Sequence, residues 1–491
     1  MRSLILVLLA GCVGEADLDR LWSPSQAVSG ADAVYAPMPH IQAIVRVDAS
    51  GDDPAYIDLD EQDLRTLFPD ATGEGVFAFT EWTEADDRPD DAPGADRERP
   101  DRRFEALYHI EGTERRELLK VDAGLGALFP SPDGAFLISR RDEARSGLSS
   151  LGAVGIHDLT SGQTWSVEVG FGVTDVRFAP GADGAPGRAV LMADGRVAVV
   201  DLSEPSPVPA VSYPLTLDAF STPRLLNLEL TPDASYAVLA LDGRNDLYVL
   251  DLRRPSINLV PLSGSPTGLT VVPEADVTVV ALTGGRVDII DHDLFEPTTV
   301  QLETSVRNLE VRDGAVIAWG DTSSRALYRI DPLTRDVRRY RTTGFLRRVY
   351  IEPQGRFGLA FTDSDNASRV ELFSLASVDD QPISERVTTL GASSAGRDAA
   401  FTEDADGVPT ALILLSGDDV LYRLSWPSLA VDEVFLPEPP LAIGALPTGS
   451  FWVTHPSPLG QLSFIEGDEV DVRFGFATHE LLTDRSDPDD Q

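Results

Sequence analysis

Residues 231–252 read TPDASYAVLALDGRNDLYVLDL, which is two apolar runs, each with a turn beside it. Proline fixes φ in the first turn, and aspartate or glycine takes the tightest corner of each turn. Runs of this length and composition favour strands rather than helices. The stretch therefore predicts a β-hairpin whose second strand ends at the acidic residue Asp251.

The second strand of this hairpin recurs along the chain as an eight-residue element that ends in an acidic or polar turn. Successive copies lie mostly 40 to 51 residues apart, and only the first gap, of 63 residues, is longer. The copies are QAIVRVDA (42–49), EALYHIEG (105–112), GAVGIHDL (152–159), GRVAVVDL (195–202), NDLYVLDL (245–252), GRVDIIDH (285–292), RALYRIDP (325–332), and the looser SRVELFSL (368–375), DVLYRLSW (419–426) and GQLSFIEG (460–467). A fixed period of this length indicates a repeat architecture.

A second repeated element lies between these copies and consists of two short apolar strands around a proline, aspartate or glycine turn. It occurs at 67–79, 127–139, 176–192, 226–240, 269–282, 309–320, 348–361, 399–415 and 444–455. Each copy predicts another hairpin. Two hairpins in each repeat give four strands.

Four antiparallel strands in every repeat are the blade of a β-propeller, in which each blade covers the apolar face of its neighbour. The sequence contains nine such units between about 64 and 477, and an extra strand pair at 42–59. We therefore predict an all-β propeller at 40–477 with eight or nine blades. Seven blades would require two units to be additions. Two separate β domains are the alternative, which the lack of a proline-rich linker disfavours.

The hairpins at 231–252 and 351–375 resemble the YVTN/WD40-like propellers of bacterial surface proteins and lactonase-like domains. The resemblance is one of architecture, because the YVTN tetrapeptide is absent and the W-D dipeptide does not recur. The segment DLTSGQTWSVEV (158–169) is similar to one quinoprotein-type repeat of the outer-membrane-assembly lipoprotein propeller. Proteins with this architecture include both binding modules and enzymes.

The first twelve residues, MRSLILVLLAGC, contain the chain's one cysteine, Cys12. Arg2 precedes an apolar run that is too short to span a bilayer as a helix, which is typical of an export signal. Leu9, Ala10, Gly11 and Cys12 resemble the lipobox of bacterial lipoproteins. The resemblance implies a signal peptide at 1–11, removed by cleavage, and lipid attachment at Cys12. Since Val13 rather than aspartate follows, it also implies the outer membrane, facing the periplasm or the surface.

Residues 12–39 are rich in Ala, Ser, Pro and Asp, which predicts a flexible tether. The insertion at 83–103 is charged and nearly free of apolar residues, which predicts a solvated loop. The end of the chain, 478–491, has the same character and predicts an acidic tail.

The chain has 80 acidic and 40 basic residues, a net charge of -40. This charge repels nucleic acids and anionic lipid headgroups, so nucleic-acid binding is disfavoured. Solubility accounts for most surplus acid, and weak binding of divalent cations stays open.

The sequence contains few candidates for catalysis or for metal binding. The six histidines are scattered without metal-ligand spacing, and no nucleophile elbow, P-loop or dinucleotide fingerprint occurs, so no catalytic, cofactor-binding or metal residue is assigned. His109 and His157 precede the acidic turn in neighbouring repeats, which a structural role explains best.

Several acidic residues of the turns have two interpretations. Asp363, Asp365 and Asn366 with Glu371 are similar to the start of a calcium loop, as are Asp404 and Asp406 before Gly407, but neither pattern is complete. A plain hairpin turn is the favoured interpretation of both. The recurring acids that end the eight-residue elements are predicted to cap turns; they include Asp201, Asp251, Asp291 and Asp331.

Together these features predict a lipid-anchored propeller of the bacterial envelope that binds or scaffolds a protein partner. An enzyme with a site over the central channel, either a lactonase-like hydrolase or a quinoprotein, is the second hypothesis. An outer-membrane assembly factor is the third. Catalytic activity is left open, with binding favoured because no catalytic motif was found.

Overall fold

The computed structural model describes residues 22–51, 53–70, 73, 75–84, 102–122, 125–132, 134–141, 152–180, 186–203, 211–215, 224–364, 367–376, 387–391, 395–403, 407–416, 420–428, 430–457 and 459–478. These residues form ten four-stranded sheets, which we name sheets A to J in chain order. In each sheet the strands lie side by side in chain order and pair antiparallel. The predicted all-β propeller of four-stranded antiparallel blades is confirmed.

The chain divides into two compact units. Unit 1 comprises 1–123 with 397–491, and unit 2 comprises 124–396. No helix among the described residues is long and apolar enough to cross a membrane. The short 3-10 helices are Pro24–Gln26, Pro39–Ile41, Pro273–Ala275 and Phe476–Thr478.

Unit 1 contains sheets A, B and J and nearly all of sheet I. Sheet A comprises β1 (Val28–Ser29), β2 (Ala33–Met38), β3 (Ala43–Asp48) and β4 (Ala55–Asp58). Sheet B comprises β5 (Asp63–Pro69), β6 (Val76–Glu84), β7 (Arg102–Glu111) and β8 (Glu114–Asp122). In unit 2, sheet C comprises β9 (Leu125–Pro130), β10 (Phe136–Arg141), β11 (Ala153–Asp158) and β12 (Thr164–Glu168).

The other sheets of unit 2 follow the same plan. Sheet D comprises β13 (Asp175–Pro180), β14 (Pro186–Ala193), β15 (Arg196–Asp201) and β16 (Val211–Pro214). Sheet E comprises β17 (Leu225–Leu230), β18 (Tyr236–Leu241), β19 (Asp246–Asp251) and β20 (Ser256–Pro261). Sheet F comprises β21 (Pro266–Val272), β22 (Val277–Leu282), β23 (Arg286–Asp291) and β24 (Pro297–Gln301). Sheet G comprises β25 (Asn308–Arg312), β26 (Ala315–Trp319), β27 (Ala326–Ile330) and β28 (Val337–Arg341).

The remaining strands form sheets H, I and J. Sheet H comprises β29 (Phe345–Ile351), β30 (Phe357–Ser364), β31 (Ala367–Ser374) and β32 (Val387–Gly391). Sheet I comprises β33 (Gly396–Glu403), β34 (Pro409–Leu415), β35 (Val420–Ser425) and β36 (Ala430–Phe435). Sheet J comprises β37 (Ala442–Ala445), β38 (Phe451–Thr454), β39 (Gln461–Glu466) and β40 (Glu469–Phe474).

The core lies between successive sheets rather than inside any one of them. On β19, Tyr248 and Leu250 pack toward sheet D, while Leu247 and Val249 pack toward sheet F. Successive residues of a strand point to opposite faces, so a sheet covered on both faces needs apolar side chains at both sets of positions. This requirement explains why the repeated element contains nearly continuous apolar runs.

The predicted count of eight or nine blades was too low. The strand pair expected at 42–59 corresponds to β3 and β4 of a complete sheet A, whose first two strands lie at 28–38. Every residue of Ala33–Met38 is buried. Sheet A packs on sheet J through a cluster that includes Val34, Trp452 and Phe464. The described part of the segment predicted as a tether is therefore folded from Trp22 onward.

The proline turns of the second repeated element depend on a left-handed residue. Gly134 and Gly355 have φ values of 68° and 73° in two of these turns, where glycine has no steric cost. Ala234 takes the same place in the turn at 231–235 with φ 51°. The turn geometry is thus retained even where glycine is replaced.

Candidate functional site

The predicted lipid site lies outside the described residues, as do Cys12, Leu9, Ala10 and Gly11 themselves. Most of the charged insertion and nearly all of the acidic tail also lie outside them. These interpretations stay predictions.

The acidic turns considered for calcium are described only in part, since Asp365, Asn366, Asp404 and Asp406 lie outside the described residues. Glu371 is fully buried and uses its carboxylate to accept hydrogen bonds from protein groups. Among the residues that the structure describes, no cluster of three His, Cys, Asp or Glu side chains could hold a metal ion.

The acids that end the repeated strands cap turns, as predicted. The Asp251 carboxylate accepts the backbone N–H groups of Arg253 at 2.8 Å and Arg254 at 3.1 Å. Equivalent bonds to residues two positions later occur at Asp158, Asp201, Asp291 and Asp331. The backbone N–H of Thr334 helps to lower the pKa of Asp331 below its usual value. These carboxylates serve the fold.

His157 is a buried part of sheet C. Its Nε2 lies 2.7 Å from the Ser139 hydroxyl and its Nδ1 lies 3.0 Å from that of Thr164. Burial lowers the pKa of His157 to about 4, so the ring is neutral at pH 7. His109 instead lies in sheet B, 2.9 Å from an Asp70 carboxylate oxygen. Each histidine is held by its own sheet, which supports the structural interpretation.

Sheet F contains an arrangement that resembles a catalytic relay. His292 lies between Asp276, whose Oδ1 is 2.7 Å from Nδ1, and Thr278, whose hydroxyl is 2.9 Å from Nε2. A nucleophile in such a relay has to reach a substrate. Thr278 is 0% exposed, so a substrate does not reach its hydroxyl, which serves to hold the His292 ring in place.

A recurring set of buried polar groups fixes the loops that enter the sheets. We call the segment just before the first strand of a sheet its entry loop. In several sheets the residue at the fourth position of the eight-residue element directs a polar side-chain atom toward this loop. In sheet F, Asp288 accepts the N–H and hydroxyl of Ser263, each at 2.7 Å. In sheet J, the Ser463 hydroxyl lies 2.8 Å from Nε2 of His455. The other ring nitrogen of His455, Nδ1, lies 3.0 Å from the Glu438 carbonyl oxygen in the entry loop.

These entry-loop anchors were not recognised in the sequence. The available signal was a buried acid, Asp288 or Glu371, at a position where other copies have tyrosine or a small residue. An isolated acid inside an apolar strand needs partners, because an unpaired buried charge is costly. The pattern predicted that such partners exist but not where in the chain they lie.

The first strands of sheets D, E and F have side chains that reach the backbone of the next sheet, at its first strand or just before it. Arg177 donates to the Leu228 carbonyl at 3.0 Å, Asn227 to that of Leu269 at 2.6 Å, and Thr267 to the carbonyl of Val306 at 2.7 Å. These bonds fix the spacing of neighbouring first strands and position the walls of a cleft between sheets D and E.

A cleft of about 510 Å³ opens between sheets D and E at the end where their entry loops arrive. Its volume is in the range of ordinary ligand pockets. Thr174, Asp175, Met192, Ala193, Asp194, Arg224, Leu225, Leu226 and Asn227 line it. Asp194 and Arg224 are exposed, so the mouth of the cleft presents charges of both signs.

An exposed aromatic residue is joined to this cleft through its backbone. Phe171 is 60% exposed, and its carbonyl accepts the backbone N–H of Asp194 at 2.8 Å. On β17, Glu229 lies 3.7 Å from Arg177 of β13, and burial raises the pKa of Glu229. We define the D–E cleft as the nine lining residues together with Phe171. An apolar ring beside mixed charges is typical of a protein contact site.

No protein-family model matches the chain, and no curated protein sequence matches it. Solved structures are similar to it in fold. The dihydro-heme d1 dehydrogenase NirN, in complex with DHE, is 15% identical over 75% of this chain and 76% of its own, with a TM-score of 0.39.

Two further solved structures show a similar degree of likeness. The β-propeller domain of Cps50 (Swd1) from Myceliophteria thermophila is 13% identical over 64% of this chain and 96% of its own, with a TM-score of 0.35. A eukaryotic initiation factor is 9% identical over 71% and 84%, with a TM-score of 0.48. At these identities the likeness concerns the fold and says nothing about function.

Proposed function

We propose that this protein is a lipid-anchored binding module of the bacterial envelope and that it holds a protein partner at the D–E cleft. The observation that carries the proposal is the cleft itself, where Asp194 and Arg224 are exposed and Asp194 is bonded through its backbone to the exposed residue Phe171. A few residues carry most of the binding energy of a protein interface, and aromatic residues and arginine are common among them.

The chemistry of the cleft defines the kind of partner. Asp175 forms an ion pair with Arg177 at 3.1 Å, so Asp194 and Arg224 are the exposed charges of the cleft, in a chain with a net charge of -40. Such a surface attracts basic segments and repels acidic ones. The expected partner therefore places an apolar side chain on Phe171 and a basic side chain beside Asp194.

Binding is favoured over catalysis because several buried titratable groups of the described strands are engaged in the fold. Glu371 and Asp288 anchor entry loops, and His157 is held between two hydroxyls. Groups used in this way are not available to a substrate.

The anchor in this proposal is the acylated Cys12, which holds the protein on the membrane surface, with the outer membrane as the expected location. Several acyl chains suffice for stable attachment without a spanning helix. Changing Cys12→Ala is expected to move the protein from the membrane fraction to the soluble fraction. Retention of the Cys12→Ala protein in the membrane fraction would contradict the anchor.

Affinity capture after mild crosslinking in native cells tests the binding site. The wild-type protein is expected to recover one stoichiometric envelope protein, and Phe171→Ala and Asp194→Asn are expected to lose it. Leu333→Ala is the matched control, because Leu333 is also an exposed apolar side chain of unit 2, at 71%. Equal recovery with all three variants would exclude the D–E cleft as the contact.

An enzyme is the second candidate, and Glu229 is the observation that favours it. Its raised pKa and its neighbour Arg177 are features shared with catalytic carboxylates. Turnover of a lactone panel by the wild-type protein, abolished in Glu229→Gln, would support a hydrolase. Absence of turnover together with a captured partner would leave the binding function.

A further inference from the structure

The first described residue of unit 1, Trp22, is fixed in place by several contacts. Trp22 is 4% exposed, and its indole N–H donates to the Ser457 carbonyl at 2.7 Å. Its ring meets Phe476 edge-to-face with centroids 5.0 Å apart. The Ser23 backbone N–H donates to Pro37 at 3.0 Å. The first described residue is therefore held against sheets A and J.

This fixed point limits the distance between the body and Cys12. Ten residue steps separate Cys12 from Trp22, so an extended chain spans at most about 36 Å between them. The sequence alone suggested a tether that ends at residue 39. With the shorter connection, the surface around Trp22 and Phe476 stays close to whatever holds Cys12.

The outermost strand of sheet J presents apolar side chains beside this point. Val472 is 38% exposed and Phe474 is 56% exposed, and both lie on β40, just before Phe476. They pair with Ser463 and Gln461, so both side chains lie on one face of the sheet. We call Val472 and Phe474 the membrane rim.

Acidic residues lie at the start of β40, and apolar residues lie toward its end. The strand begins at an acidic turn, where Glu466, Asp468 and Glu469 are exposed, and it ends at Phe474. Asp471 and Arg473, on the other face, form an ion pair at 2.5 Å. The apolar end of the strand is thus the end nearest Trp22, and the acidic end points along the strand away from it.

We propose that the membrane rim rests on the lipid surface to which Cys12 is attached. This inference rests on the proposed lipid anchor. Exposed apolar side chains gain free energy when they leave water for the acyl boundary, and an anchored protein meets that surface at high local concentration. The acidic turn at the start of β40 is kept away from anionic headgroups in this orientation.

Spin labels test the rim in the lipidated full-length protein, reconstituted into phosphatidylcholine vesicles. The acylated Cys12 has no free thiol, so an introduced cysteine is the one labelling site. Phe474→Cys is the test variant. Arg116→Cys is the matched control, since Arg116 is an exposed residue on the outermost strand of sheet B, also in unit 1. Collision rates with oxygen and with a water-soluble nickel chelate are measured at both labels.

The label at 474 is expected to show a severalfold higher ratio of oxygen to nickel accessibility than the label at 116. Equal ratios would overturn the membrane rim. Protection of the 474 label from both reagents would also overturn it, because a protein partner or a second copy would then cover the strand. Mass spectrometry of the N-terminal peptide is the separate test of the anchor, since a free thiol at Cys12 refutes the anchor whatever the labels show.

Discussion

Sheets G and H fix their entry loops at the same strand position with different chemistry. In sheet G the neutral hydroxyl of Tyr328 accepts the backbone N–H of Thr304 at 3.1 Å. In sheet H the carboxylate of Glu371 accepts the N–H of Thr343 at 2.8 Å and that of Gly344 at 3.3 Å. In these two sheets the entry loop is held by a buried acceptor at this position, a phenol in one and a carboxylate in the other.

Tyr328 and Glu371 differ in how many donors lose their acceptor when the side chain is removed. Tyr328 serves one short segment, whereas Glu371 also accepts the hydroxyls of Thr343 at 2.6 Å and Thr362 at 3.0 Å. A carboxylate with several donors binds its loop more strongly, but its removal leaves more donors unsatisfied. Sheet H should therefore be the more vulnerable of the two.

Removal of the carboxylate in sheet H has the largest expected effect. Glu371→Ala should lower the free energy of unfolding by about 4 kcal/mol, because several buried donors lose their acceptor. Urea unfolding measures the loss, and hydrogen exchange at the Thr343 and Gly344 amides locates it. Glu371→Gln, which keeps one acceptor oxygen, should lose about half as much. A loss in Glu371→Ala no greater than that in Tyr328→Phe would refute the comparison.

Acid should destabilise the protein through His157, the buried histidine of sheet C. Its folded pKa is about 4 against 6.5 for the free side chain, so between these values the unfolded chain binds more protons. The contribution of neutral His157 to the free energy of unfolding is fully present above pH 6.5. It is lost as the pH falls from 6.5 through about 4, by about 3 kcal/mol in total.

The variant His157→Asn removes this titration. The difference in unfolding free energy between the wild-type and variant proteins should therefore narrow as the pH falls from 7 to about 4. Denaturant unfolding of both proteins across that range provides the measurement. A difference that does not change with pH would show that His157 does not titrate between its two states as described.

The smallest effects are expected at the tyrosines. Tyr328→Phe removes one acceptor and should cost about 1 kcal/mol. Tyr248 occupies the same position in sheet E, and its hydroxyl has no hydrogen bond among the described residues, so Tyr248→Phe should change stability by less than about 0.5 kcal/mol. Equal losses in the two variants would show that the Thr304 bond contributes nothing.

The hairpins, the turn caps and the propeller class could be predicted from sequence because each depends on neighbouring residues. Asp251 caps a turn formed by residues that follow it directly. Sheet A was missed because β2 contains Pro37, and proline argues against a strand. The strand tolerates it since β1 pairs only with Val34 and Tyr35, and the Pro37 carbonyl accepts the Ser23 N–H instead.

The D–E cleft could not be predicted, because its parts come from distant places in the chain. Asp194 and Arg224 lie in different loops and are brought together by the packing of sheets D and E, and Phe171 is joined to Asp194 by a backbone hydrogen bond. A repeat pattern predicts which residues form strands. It does not predict which loops meet, because that depends on how neighbouring sheets align.

The most direct test of the binding function places a photo-crosslinking amino acid at position 171 in the anchored protein, in native cells. Position 333 is the matched exposed site in the same unit. Position 171 is expected to give one discrete crosslinked envelope protein in the membrane fraction, and position 333 is expected not to give it. The same crosslinked species from both positions, or none from either, would contradict a partner at the D–E cleft.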